Sequence, residues 1–136
     1  MNSIKYEGMD VHKSSIVIAI LNEEGKQVME SIVETKAQTI LDFIKALRGT
    51  NWVTFEEGTQ AGWLYDLLLP HVAKLIVCDP RKNKLLLSGN KADKVDAHKL
   101  AQLLRAPLAV LPPIKAPDFI ALVLYNTSIS NSAALH

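Results

Sequence analysis

The chain has 136 residues, with 15 Lys+Arg against 14 Asp+Glu and 49% hydrophobic residues, the size and balance of one ordinary domain that buries roughly two thirds of its unfolded surface. Collagen-like, disordered and multidomain readings are excluded, and a single cysteine excludes a disulfide framework. Cys78, beside Leu75, Ile76 and Val77, is expected as a buried apolar thiol in a reducing compartment. No basic segment followed by an apolar run opens the chain, and no stretch approaches ~18 apolar residues, so a cytoplasmic, non-membrane protein is expected. The charge is unevenly spread: residues 1–70 carry 6 basic against 10 acidic side chains, and residues 71–105 carry 8 against 3. That asymmetry fits either a self-complementary surface or a polyanion held by cations beside a carboxylate site.

In chain order, residues 4–11 and 16–21 read as two strands around a tight turn at His12, Lys13 and Ser14. Residues 22–25 supply the next turn. Residues 27–34 alternate Val28, Glu30, Ile32 and Glu34 against Met29, Ser31 and Val33, which predicts a third antiparallel strand at a sheet edge. Ile40, Leu41, Ile44 and Leu47 fall at helical spacing, predicting a helix over 37–48 with Gly49 as its carboxyl cap. A short strand over 52–55 runs into Glu56 and Glu57, and a second helix over 61–69 stops at Pro70. A fifth strand is expected over 74–78. A basic connector follows, and Val95, Leu100, Leu103 and Leu104 resume helical periodicity over 95–104. Three strands in a meander, then strands alternating with helices, describe an α/β fold: a mixed five-stranded sheet flanked by helices, in the ribonuclease H-like order. Pro107, Pro112, Pro113 and Pro117 forbid a continuing helix, so residues 106–136 are expected to be an irregular tail beyond a domain over 1–105.

Asp10 ends the first strand and Glu56 the fourth, so neighbouring strands would set them side by side at one end of the sheet. Asp93 and Asp96, three apart at the start of the last helix, would share a face. If that helix crosses the same end, four carboxylates converge, an oxygen-rich donor set suited to magnesium or manganese. Two carboxylates about 4 Å apart repel by roughly 4 kcal/mol at an effective dielectric near 20, so a divalent cation is the natural counterion. Taken singly, each acid also has a structural reading: Asp96 as a helix cap, Glu56 or Glu57 as an exposed strand end. His12 and His98 read as outer or surface groups, because histidine rarely binds magnesium. Arg81, Lys82, Lys84, Lys91 and Lys94 lead into the acidic pair, where cations would hold a nucleic-acid backbone.

Four phrases carry a family resemblance: Gly-Met-Asp-Val-His-Lys at 8–13, Phe-Glu-Glu-Gly-Thr at 55–59, Cys-Asp-Pro-Arg-Lys at 78–82 and Lys-Ala-Asp-Lys-Val-Asp-Ala-His-Lys-Leu-Ala-Gln-Leu-Leu-Arg at 91–105. Together they resemble the DEDD insertion-sequence transposases, relatives of Piv-like DNA invertases with a RuvC-like catalytic domain. The resemblance implies a catalytic, two-metal tetrad of Asp10, Glu56, Asp93 and Asp96 taking Mg2+ or Mn2+. It further implies phosphodiester cleavage or strand transfer on DNA, a phosphate or carboxylate contact for Lys13, a structured guide RNA as a partner, and a homodimer or higher oligomer. Glu57 stands where the family commonly has a small residue and competes with Glu56 as second acid. Strand alternation favours Glu56, since only one of two successive side chains joins Asp10.

The family continues through a charged helical linker into a second domain bearing a serine implicated in strand exchange, whereas residues 106–136 are proline-rich and almost uncharged. A truncated chain or one with a foreign tail is expected from that departure. Two other readings stay open: an inactive remnant that keeps only nucleic-acid binding, and an actin-like kinase fragment. The latter would need phosphate-cradling glycines where His12 and Lys13 stand.

Overall fold

A computed structural model describes residues 3–80 and 95–105. Strands β1 (Ile4–Val11), β2 (Ser15–Leu21) and β3 (Gln27–Glu34) form the meander, followed by α1 (Ala37–Ala46), β4 (Thr50–Glu56), α2 (Ala61–Leu68), a 3-10 turn (Leu69–His71), β5 (Lys74–Cys78) and α3 (Ala97–Arg105). The sheet order is β3-β2-β1-β4-β5. β1 pairs antiparallel with β2 and β2 with β3, while β1 pairs parallel with β4 and β4 with β5. This is the mixed five-stranded, ribonuclease H-like arrangement expected, with β3 at the edge. Arg81, Lys82, Lys84, Lys91, Asp93, Lys94 and the whole of residues 106–136 lie outside the described residues.

Alternation sorts the sheet into two faces. Met9, Ile16, Ile18, Ile20, Val53, Phe55, Leu75 and Val77 point one way and meet Ile40 and Ile44 of α1 and Leu64, Tyr65 and Leu68 of α2 in one buried cluster. Gly8, Ala19 and Thr54 point the other way, and α3 packs there, chiefly on β1 and then on β2 and β4. The meander is held by two tight turns: the His12 N–H donates to the Ser15 carbonyl at 2.9 Å, and the Asn22 side-chain oxygen accepts from the Glu24 and Lys26 N–H groups at 3.0 Å each. Cys78 is buried as expected, its Sγ 3.0 Å from Thr54 Oγ1.

Two helix boundaries differ from the sequence reading by two residues. The first helix ends at Ala46 because Leu47 is already extended. Gly49 is therefore not its cap: it takes φ +90° in the turn into β4, where a side chain would come 2.5 Å from the Ser3 carbonyl oxygen. The last helix starts at Ala97 rather than 95, because Asp96 caps it. The Asp96 carboxylate accepts from the Lys99 N–H at 2.9 Å and its carbonyl from the Leu100 N–H at 3.0 Å.

Candidate functional site

At the carboxyl ends of β1 and β4 the parallel register pairs Gly8 with Thr54 and Met9 with Phe55, which brings Asp10 level with Glu56 on the face that carries α3. A cavity of about 410 Å³ opens there. Asp10, His12 and Lys13 line it from β1 and the turn after it, Glu56 and Glu57 from the end of β4, and Gly58, Thr59 and Gln60 from the loop into α2. The wall is closed by Leu64 of α2 and Leu100 of α3. Carboxyl ends of adjacent parallel strands are where α/β sheets collect binding groups, because the loops diverge there and leave a crevice.

Asp10 is mostly enclosed, its side chain 19% exposed, and it meets His12, whose Nε2 lies 3.2 Å from Asp10 Oδ2. His12, expected as an outer or surface group, is both 44% exposed and in contact with the first acid. The spacing carries the signal for that contact, since residues i and i+2 leave a strand on one side. Glu56 is half-buried and closes β4, whereas Glu57 is exposed and lies one residue beyond the strand. The Glu57 N–H donates to the Cys78 carbonyl at 2.7 Å, extending the β4-β5 ladder by one bond. Strand alternation disfavours Glu57 as the second acid, yet it shares the cavity with Asp10 and Glu56.

The remaining candidates sit as follows. Lys13 is exposed at the cavity. His98 is engaged away from the acids, its Nδ1 2.6 Å from Gln27 Oε1 on β3. Asp96 is exposed at the head of α3 and does not line the cavity. Among the described residues no group of three or more histidine, cysteine or acidic side chains is gathered closely enough to hold a metal ion; of the expected tetrad, Asp10 and Glu56 meet at one cavity, Asp96 stands outside its lining, and Asp93 is not among the described residues. As a donor set the pair fits a hard cation: two carboxylates on neighbouring strands at one cavity, with no cysteine lining it.

The capping role of Asp96 has a measurable consequence. Asn caps as well as Asp and Ala does not, so Asp96→Ala should lower stability by about 1 kcal/mol while Asp96→Asn leaves it nearly unchanged. Urea unfolding of the two variants checks this. The Asn variant thereby removes the charge without the cap, which makes it the right tool for any metal-binding experiment.

The family model described as Transposase, that of the DEDD transposases of the IS110 group, matches residues 7–129. The match includes all four expected acids and runs past Arg105 into the proline-rich segment. The chain is also 35% identical over 107 residues to the transposase for insertion sequence element IS1533 of Leptospira borgpetersenii, covering 74% of this chain and 31% of that protein. The chain thus spans about a third of the length of that curated relative. The actin-like kinase reading falls with these matches. With most of its length inside the family model, and with the sheet order and strand-end acids described above, this chain belongs to the DEDD transposase family of insertion sequences.

Proposed function

We propose that residues 1–105 are a RuvC-like catalytic unit in which Asp10, Glu56, Asp93 and Asp96 bind two divalent ions, Mg2+ or Mn2+, and act on DNA phosphodiesters by cleavage or strand transfer during transposition. The observation that supports this best is that Asp10 and Glu56 lie at one register level, on one face and at one cavity. When bound, divalent cations would supply an activated water or hydroxyl nucleophile and charge stabilisation for the leaving oxygen. Asp10 and Glu56 would hold that charge from the ends of β1 and β4. His12 orients the Asp10 carboxylate through the contact of its Nε2 with Oδ2. Lys13, exposed at the cavity, is within reach of a phosphate oxygen bound there. Arg81, Lys82, Lys84, Lys91 and Lys94 continue the nucleic-acid contact along the backbone, without base readout. A structured guide RNA and a second copy of the chain are further partners on this reading, which rests for them on the family alone.

Incubation of the full chain with branched DNA tests the reading. Cleavage should require Mg2+ or Mn2+ and fall by roughly 10²–10³-fold in Asp10→Asn and Glu56→Gln, while Glu57→Gln keeps most of it. Binding should weaken steeply with salt, with a log-log slope of about 0.9 for each phosphate contact on duplex DNA, and the slope should shrink in Lys82→Ala/Lys84→Ala. Salt-dependent binding with no cleavage under any metal would identify an inactive remnant instead.

A further inference from the structure

Large apolar side chains stand exposed at three places among the described residues: Val28, Met29 and Ile32 on the edge strand β3, Leu69 in the 3-10 turn, and Trp63 on α2. Trp63 is the one beside the cavity. Gln60, at the N-cap position of α2, lines the cavity together with Thr59, and Trp63 stands three residues, or about 4.5 Å of helix axis, beyond it. Long helical side chains lean back over the turn that precedes them, which directs the indole toward Thr59 and Gln60 rather than toward the far end of α2. The surface there is bare: a Cβ added to Gly58 or Gly62, on either side of that turn, would meet nothing within 4 Å. A contact surface for another protein needs a continuous apolar patch. Leu67, which shares the Trp63 face at i+4, is partly buried against the core, and Leu69 lies beyond the end of the helix, so the exposed ring is isolated. Charge divides its surroundings as well. Lys13 reaches the cavity from the turn after β1, and Asp66 is exposed one turn past Trp63 on the side away from the cavity. Phosphate is thereby favoured at the cavity and disfavoured beyond the indole.

We propose that Trp63 is a base-stacking residue: its indole seats a nucleobase of the DNA strand whose adjoining phosphate lies at the cavity of Asp10, Glu56 and Lys13. This rests on the reading of that cavity as the place where the chain acts on DNA. An indole has a broad apolar face with one N–H at its edge, and a nucleobase has a flat face of similar character with polar edges. Stacking buries face against face while the edges of both rings stay in water. It is tolerant of sequence, because every base has a π-face. What it adds to the cations is register. A strand held by charge alone slides along its binding surface. Seating one base fixes which phosphodiester stands before Asp10 and Glu56, and a misplacement of ~1 Å at a reacting centre costs ~10²-fold in rate.

The experiment measures binding of the full chain to labelled branched DNA by fluorescence anisotropy over a series of salt concentrations, without added metal so that the DNA stays intact. Trp63→Ala should weaken binding roughly 10-fold at every salt concentration and leave the log-log slope unchanged, since it removes no charge. Trp63→Phe should recover most of the loss. Lys13→Ala should instead shrink the slope by about 0.9, the share of one phosphate contact. A scan of single abasic sites along the DNA gives a second readout: one position should cost the natural chain roughly 10-fold and cost Trp63→Ala nothing. In Trp52→Phe, where Trp63 is the one indole left, intact DNA should quench the emission and the abasic site at that position should restore it; this arm carries the test if Trp63→Ala does not fold. Natural affinity in a folded Trp63→Ala, with the slope intact, overturns the proposal and leaves the DNA reading standing. So does a loss in Trp63→Ala that no abasic site reproduces, and a change of oligomeric state on sedimentation would then make Trp63 a contact between protein chains. Absence of salt-dependent binding by the natural chain removes the DNA reading itself, and the stacking role with it.

Discussion

Stability of this protein should fall as pH rises from about 4.5 to about 8, and Glu7→Gln should abolish most of that dependence. Glu7 is completely enclosed on β1, between Ile20 of β2 and Val53 of β4, and among the described residues neither carboxyl oxygen has a hydrogen-bond partner. Burial pushes its pKa from 4.5 up to about 8, against the opposing pull of Lys5, whose ammonium is itself occupied by the Arg48 carbonyl. In the unfolded chain Glu7 ionises near its ordinary value, so between the two pKa values the folded state binds more protons than the unfolded one. The contribution is fully present below about 4.5 and lost by about 8. A difference of that size corresponds to roughly 5 kcal/mol across the window, a large part of the 5–15 kcal/mol that holds a typical domain together. Gln has nearly the same shape and no charge to desolvate. Glu7→Gln should therefore match the natural chain at pH 4.5 and exceed it by several kcal/mol at pH 8. Urea unfolding at pH 4.5, 6.5 and 8 decides the matter. A pH-independent difference, or a variant that is weaker at pH 8, would mean that Glu7 is ionised and partnered.

Divalent metal should produce the second large effect. A ligand that binds only the folded state at 100 times its Kd adds about 2.7 kcal/mol, which for a domain of this size raises the melting temperature by roughly 10 °C. Mn2+ should do this for the natural chain and much less for Asp10→Asn or Glu56→Gln. Without metal the same variants should unfold within ~1 kcal/mol of the natural chain. Removing one of two neighbouring carboxylate charges relieves repulsion, and an Asn at position 10 still offers an oxygen to the exposed His12 ring nitrogen. A structural acid held by hydrogen bonds, unlike Glu7, behaves in the opposite way, destabilising when removed and indifferent to metal. Thermal melts of the three proteins with and without Mn2+ distinguish the cases. No gain for the natural chain would remove the metal-site reading, whatever the family does elsewhere.

The elements and their order are legible in the residues alone, because the signals are local: β-branched alternation in β2 and β3, helical spacing through Ile40 and Ile44, and Pro70 closing α2. The Asp10-Glu56 pairing is legible too, since two strand-end acids in a fold where those strands adjoin have little freedom to be elsewhere. Long-range packing settles what remains. Period two puts Glu7 on the side of Met9, yet nothing local says that this side is sealed at Glu7; the helices that cover it come from residues 37–68. Asp96 reads equally as helix face or helix cap until the start of α3 at Ala97 is known, and its distance from the strand acids depends on how deeply α3 sits. That depth is set where Gly8 meets Ala97 and Ala101, residues far away along the chain. A glycine in a strand pattern shows that a side chain is missing, but not which backbone fills the space.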